Sequence, residues 1–379
     1  MKVSFILPHD FRFSQWSITD FIKKHHFSKN YLEAVGKKGV KTTLYCFHQD
    51  ILDAIKVDNI CFLPVEFRFP PFMSFGNDFS EKIMGEILQD RPDIIHVFNY
   101  YVWCYPSLIH KLTSKKIPTV AQFHGIVDNF SIFKLLFFRR LYKKTSLFLT
   151  SFICEAEKII KVLRVSHKQV KLFPNVGVSL RLFKPYEKSS NPTLLYVGRF
   201  PNNIRNKWEK NPFLVIKLFE ILKKKFANLN LLMVGEGPGL SKIKSYVDKK
   251  EINKDVLFKG YIKHCHLPQI YSNAWFTVIP MYFPEMTYLW DGSLKESLAC
   301  ETPVIIFGDH FKLNEWGLMI PYNRSSALAE KLPSIFSRYD EYFSNMSYVR
   351  KLLEKYCSWE NVSKHLINTY ETIIRGKCG

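Results

Sequence analysis

Residues 230–247 read NLLMVGEGPGLSKIKSYV. Residues 231–234 are a short apolar run of the kind that becomes a buried strand. Gly235, Glu236, Gly237, Pro238 and Gly239 break the run at once, and the pattern from 239 to 250 predicts a helix. A strand that ends in a glycine turn and passes into a helix brings backbone N–H groups close to whatever binds at the turn.

The same order continues outward from this stretch. Before it lie a strand at 194–197 and a helix at 212–225; after it come a strand at 256–258, a short helix near 267–272 and a strand at 276–279. The first half alternates in the same way, with apolar runs at 3–7, 41–47, 93–98 and 119–123 and a helical stretch at 30–38 closed by Gly39. Such alternation belongs to the α/β class, parallel sheets wrapped by helices. Residues 184–193, KPYEKSSNPT, lack apolar periodicity and read as an interdomain linker. The expected organisation is two consecutive Rossmann-like domains, 1–185 and 192–357, with residues 358–379 forming a last helix that crosses back to the first domain.

Composition agrees with this division. A chain of 379 residues exceeds the size at which one hydrophobic core usually keeps growing. Hydrophobic residues make up 47% and charged residues 23%, which excludes a disordered chain. The excess of 54 Lys and Arg over 34 Asp and Glu, +20 in all, attracts phosphates, nucleic acid or an anionic membrane face without choosing among them. Cys46, Cys61, Cys104, Cys154, Cys265, Cys300, Cys357 and Cys378 are scattered singly, which suits a reducing compartment and argues against structural zinc. The first residues, MKVSFILPHD, read as a strand and not as a signal peptide. No run approaches the roughly 18 apolar residues of a spanning helix, so the expected location is cytoplasmic, soluble or peripheral at the inner face of the membrane.

Taken in order, YVGRF (196–200), EKNPFLVIKLFEIL (209–222), the 230–247 stretch, KGYI (259–262) and DGSLKESLACETPVI (291–305) form a recognisable series. RPDIIHVF (91–98), IPTVAQFHG (117–125) and KLFPNVGVSLRLFKP (171–185) extend it into the first half. The series resembles the retaining GT-B glycosyltransferases of family 4, the glycosyl transferases group 1 type. That resemblance implies a GT-B fold, two Rossmann-like domains facing a central cleft with a nucleotide sugar between them. It also implies retention, no bound metal or other cofactor, and a donor phosphate oxygen acting as base.

The residues carry a chemistry of their own. Arg199 follows a strand directly and Lys210 precedes the helix that starts near Pro212, so two cations meet at a strand-to-helix junction suited to a departing diphosphate. Arg205 and Lys207 share that long loop. Glu296 opens a helix where a carboxylate accepts the two hydroxyl protons of a ribose. The resemblance assigns Arg199 and Lys210 to the diphosphate, Gly235, Glu236 and Gly237 to the nucleotide pocket, and the backbone at Tyr261 and Ile262 to the base. It makes Glu296 the second of a pair of glutamates whose first position is Tyr288 here; Glu285 or Asp291 would take the role of holding the donor sugar. Asp291, Gly292, Ser293 and Leu294 replace a more glycine-rich turn, with N–H groups still directed at the phosphates. His124, ahead of Gly125, is assigned to orienting donor or acceptor hydroxyls, while residues 8–29 are aromatic and basic where the family carries a glycine-rich loop.

Residues 131–144, SIFKLLFFRRLYKK, combine apolar and cationic side chains. They suit either an interfacial helix on anionic lipid or a core-facing helix with a solvated basic face. No nucleic-acid-binding motif is present, so nucleic acid is not an expected partner. The expected function is transfer of a hexosyl unit from a UDP- or GDP-sugar to a hydroxyl of a lipid-linked glycan or polysaccharide precursor. The alternatives are a non-catalytic scaffold that binds nucleotide sugars and a nucleotide-sugar epimerase of the same fold.

Overall fold

The structure, a computed structural model, describes residues 1–7, 16–64, 81–98, 114–123, 139, 143–204, 209–283, 289, 291–308, 318–320 and 325–376. The chain divides into two units: Met1–Val176 joined by Trp359–Gly379, and Gly177–Ser358.

The first unit is built on β1 (Lys2–Leu7), β2 (Lys41–His48), β3 (Ile55–Val57), β4 (Ile60–Pro64), β5 (Ile94–Phe98), β6 (Thr119–Gln122), β7 (Leu147–Thr150) and β8 (Val170–Leu172). Among the described residues they form one sheet in the order β3-β4-β2-β1-β5-β6-β7-β8. Every pairing is parallel except the β3–β4 hairpin. Helices α1 (Ile18–Lys24), α2 (His26–Gly36), α3 (Glu81–Gln89) and α4 (Ile153–Leu163) flank the strands. Parallel strands buried on both faces need continuous apolar runs, and IIHVF of β5 is buried throughout. Alternate residues then serve opposite faces. Ile6, Tyr45, Val97, Ala121 and Phe148 pack with Ile159 and Leu163 of α4. Phe5, Leu44, Phe98 and Leu149 pack with Tyr31, Leu32 and Val35 of α2.

The second face is completed by the chain's last helix, α12 (Trp359–Ile374). Trp359, Val362, Leu366, Tyr370 and Ile373 recur at spacings of three and four, one stripe of a helix, and join that cluster. The Tyr370 hydroxyl lies 2.5 Å from Nδ1 of the buried His96, and Lys171 Nζ donates to Thr369 Oγ1 at 2.8 Å. Leu366 is fully buried. Leu366→Ala is expected to destabilise this unit by about 2–5 kcal/mol, the usual cost of a lost core leucine plus its cavity. Chemical denaturation followed by circular dichroism measures it, and a cost below about 1 kcal/mol would show that the helix is not part of this core.

The second unit carries β9 (Thr193–Val197), β10 (Asn230–Val234), β11 (Val256–Gly260), β12 (Phe276–Phe283), β13 (Val304–Gly308) and β14 (Leu318–Ile320). Its sheet runs β11-β10-β9-β12-β13-β14, all parallel. The helices are α5 (Pro212–Lys223), α6 (Leu240–Lys249), α7 (Leu267–Asn273), α8 (Gly292–Ala299), α9 (Ser325–Ser337), α10 (Tyr339–Ser344) and α11 (Met346–Cys357). Leu194, Tyr196, Phe219, Leu231, Met233 and Phe276 belong to one core under the sheet. The segment 184–193 is fastened to this unit: Tyr186 N donates to Ser272 Oγ at 3.0 Å, Lys188 Nζ to Thr302 Oγ1 at 2.6 Å, and Trp275 Nε1 to Ser189 O at 3.2 Å. The unit's two ends meet, since Val178 N donates to Cys357 O at 2.8 Å and Val178 pairs with Ser358 in a parallel bridge.

Candidate functional site

The loops after β9 and β10 are zipped together. Gly198 N donates to Val234 O at 3.0 Å, Phe200 N to Glu236 O at 3.0 Å, and Gly239 N to Phe200 O at 2.9 Å. A Cβ on Gly235, at φ +129°, would collide with the carbonyl of Gly198, and one on Gly239 with that of Pro201. These glycines therefore let two loops touch backbone to backbone. The turn after β11 joins them, because Gly235 N donates to Gly260 O at 2.8 Å. Tyr261, exposed, and Ile262, half-buried, follow at once, so the turns assigned to nucleotide and base are neighbours.

Lys210 reaches this region from the far side. Asn211 caps α5 through Oδ1, accepting from Phe213 N at 3.1 Å and Leu214 N at 3.3 Å, and its own N–H donates to Pro280 O at 2.8 Å. Pro212 occupies the first turn, where a missing N–H costs nothing. The residue before this cap is thus fixed, and Lys210 crosses Gly198, where a Cβ would come 3.0 Å from Lys210 Cδ. Lys210 Nζ then donates to Ser293 Oγ at 2.5 Å, pairs with Asp291 Oδ2 at 3.1 Å and lies 3.4 Å from Val197 O. Arg199 sits one residue beyond Gly198 and is exposed, its carbonyl accepting from Tyr196 Oη at 2.5 Å.

Helix α8 holds the rest of the site. Asp291 is its N-cap, with Oδ1 accepting from Leu294 N at 2.9 Å and from Ser293 Oγ at 2.5 Å. Burial alone would raise the Asp291 carboxyl, but the Lys210 ammonium, the Ser293 hydroxyl and the Leu294 N–H hold it below the ordinary carboxylate value. Gly292 opens the first turn and is half-buried. One turn further, Glu296 is held at both oxygens: His264 Nε2 lies 2.9 Å from Oε1, and Tyr271 Oη donates to Oε2 at 2.9 Å. Burial, reinforced by Glu296, pushes the Tyr271 phenol well up, so it remains a donor. Phe183 packs edge-on to His264 with ring centroids 5.0 Å apart. The helix itself is pinned by Ser297 Oγ, which donates to Thr302 O at 3.0 Å and lies 2.7 Å from the Thr277 hydroxyl. At its far end the Arg350 guanidinium donates to Ala299 O, a cation where the helix dipole favours one.

Structural comparison places the fold. Three similar solved structures are a sucrose-phosphate synthase from Thermosynechococcus elongatus (18% identity, TM-score 0.71, 98% of this chain and 99% of that one), HepE from Anabaena in complex with UDP-glucose (12%, 0.69, 98% and 100%) and a glycosyltransferase from Rickettsia africae (14%, 0.70, 98% and 98%). Residues 27–180 match the family model Glycosyltransferase Family 4, and residues 181–348 match Glycosyl transferases group 1. This chain has the GT-B fold. No curated protein matches it in sequence.

Within this GT-B chain the residues expected from sequence fall into two groups. Arg199, Gly235, Glu236, Gly237, Tyr261, Ile262, Asp291, Gly292, Ser293, Leu294 and Glu296 lie at the carboxyl ends of β9, β10 and β11 or on α8 and its approach, and Lys210 lies just before the N-cap of α5. His124, Glu285, Tyr288, Arg205 and Lys207 lie outside the described residues, as do 131–138 and 140–142 of the basic aromatic stretch. Asp291, one of the two residues that would hold the donor sugar, caps α8 and pairs with Lys210. Among the described residues no helix is long and apolar enough to cross a membrane.

Two partners of Glu296, His264 and Tyr271, are not evident from sequence. His264 follows Ile262 by two residues, so its neighbourhood is readable but its partner on α8 is not. Lys295 is likewise not evident from sequence: it is fully buried within α8 and its Nζ donates to Leu289 O at 3.3 Å. Burial pushes its ammonium down to about 8, against the pull of Cys357, Asp291 and Glu296. The folded chain therefore holds this proton less firmly than the unfolded chain, so the penalty is complete below about pH 8 and is relieved as pH rises toward the unfolded value of 10.5. Lys295→Met is expected to stabilise the GT-B chain at pH 7, by on the order of 3 kcal/mol, and its advantage should shrink between pH 8 and 10. Denaturant melts of both proteins across that range decide it; an advantage that does not vary with pH would rule out titration of Lys295 as the cause.

Proposed function

We propose that this chain is a glycosyltransferase that takes a hexosyl unit from a UDP- or GDP-sugar and transfers it to a hydroxyl of a lipid-linked glycan or polysaccharide precursor, with retention. The observation that carries this reading is the layout of α8, with a cation-and-N-terminus pair at its start and a fixed carboxylate one turn on. That layout suits the diphosphate and the ribose of one nucleotide. HepE, with a similar fold, has been solved with UDP, with UDP and glucose, and with UDP-glucose, which supports a uridine or related donor.

In this reading Lys210 and Arg199 neutralise the charge that builds on the diphosphate as the anomeric bond breaks, and the N–H groups of the α8 start add to them. Glu296 accepts the ribose hydroxyl protons while His264 and Tyr271 hold its orientation. His124 orients hydroxyls near the reacting sugar, a donor phosphate oxygen takes the acceptor proton, and no metal takes part. The +20 charge suits an enzyme working in the cytoplasm at an anionic membrane face. Thermal-shift titration with UDP, GDP, ADP and their common sugar conjugates, followed by label transfer to lipid extracts, tests the reading. Stabilisation by one nucleotide identifies the donor base; no shift with any nucleotide sugar would overturn the proposal.

A further inference from the structure

Lys210 Nζ faces three protein acceptors: Val197 O at 3.4 Å, Ser293 Oγ at 2.5 Å and the Asp291 carboxylate at 3.1 Å from Oδ2 and 3.4 Å from Oδ1. An ammonium has three protons, so these contacts match its whole donor capacity. The Asp291 carboxylate also takes the Leu294 N–H at the start of α8, where the helix dipole attracts an anion. A lysine, a hydroxyl and a helix N-terminus converging on one anion are the parts of a phosphate site, and here the anion belongs to the protein. The pair is shielded, with side chains 20% and 10% exposed, so solvent does little to weaken it.

We propose that Asp291 is an internal stand-in for the donor diphosphate, occupying Lys210 in the ligand-free chain and setting donor affinity by having to release it. This rests on the nucleotide-sugar reading of the site. Binding then exchanges one anion for another: the phosphate takes Lys210 and the Ser293 hydroxyl, and the carboxylate keeps only its cap of α8. Affinity is lowered by the strength of the pair that must open, and selectivity favours ligands with enough negative charge to displace a carboxylate.

Asp291→Asn separates the two jobs, since an asparagine oxygen caps a helix about as well as a carboxylate does but leaves Lys210 uncompensated. Calorimetric titration of the full chain at one ionic strength, with pyrophosphate, UDP and uridine, reads the result. The expected outcome is that pyrophosphate and UDP bind about tenfold tighter or better in the variant, the low end of close charge-pair coupling, while uridine is unchanged. Unchanged or weaker pyrophosphate binding overturns the proposal, as does tightening of uridine to the same extent. Tighter pyrophosphate with no preference for any nucleoside diphosphate over pyrophosphate upholds the stand-in and sinks the nucleotide-sugar reading. Circular dichroism monitors folding, and Asp291→Gly, a tolerated N-cap, serves as second variant with the same expected direction.

Discussion

Replacing Lys210 by methionine is expected to lower the rate of sugar transfer by about 10²–10³-fold, the usual cost of removing one preorganised group that stabilises transition-state charge. The loss should fall on kcat more than on KM, because charge on the diphosphate grows as the anomeric bond breaks. The same change strands the Asp291 carboxylate, which is buried and paired with Lys210 at 3.1 Å, and an unpaired buried charge is itself destabilising. The double variant Lys210→Met with Asp291→Asn resolves the two effects. It should recover thermal stability toward that of the parent chain and recover none of the rate. Steady-state kinetics on both proteins beside their melting curves settle the matter, and near-parental kcat in a folded Lys210→Met protein would remove Lys210 from the mechanism. Arg199 is exposed one residue past Gly198 and among the described residues has no ion pair that its loss would strand, so Arg199→Ala is expected to lose turnover with its stability intact.

The second large effect concerns Glu296. A carboxylate that accepts two ribose hydroxyls contributes about 1.5–3 kcal/mol for each bond to a charged group, so Glu296→Ala should weaken nucleoside diphosphate binding by about 100-fold or more. The discriminating probe is a 2′,3′-dideoxynucleoside diphosphate, which has no diol to lose. Its affinity should be low for the parent chain and nearly the same for the variant. Equal losses for both ligands would mean that Glu296 acts by holding α8 and its partners His264 and Tyr271 in place.

The α/β alternation was legible because parallel strands buried on both faces leave continuous apolar runs, as in 231–234 and 94–98. The stripe of α12 was legible for the same kind of reason, its period of 3.6. The loop glycines were legible as a turn, but their backbone partner was not: nothing local in Gly235 says that Gly198 lies against it. The edge strands β3 and β14, three residues each, are too short to show a period and went unread, as did β4 and β13, internal apolar runs of the same length as β10. Within the candidate site, cations and carboxylates could be named from sequence, yet their pairing could not. Lys210 and Asp291 are 81 residues apart and Glu296 and His264 are 32 apart, and only the fold brings them together.

The meeting of Val178 with Ser358 makes the second unit a closed excursion from the first. During synthesis the segment 177–358 leaves the ribosome whole before any of α12 has appeared. The first unit, though begun earliest, has a sheet face that stays bare of Trp359, Leu366 and Tyr370 until then. The nascent chain thus completes its two halves in the reverse of the order in which it starts them, and a stalled or shortened message would damage the half encoded first.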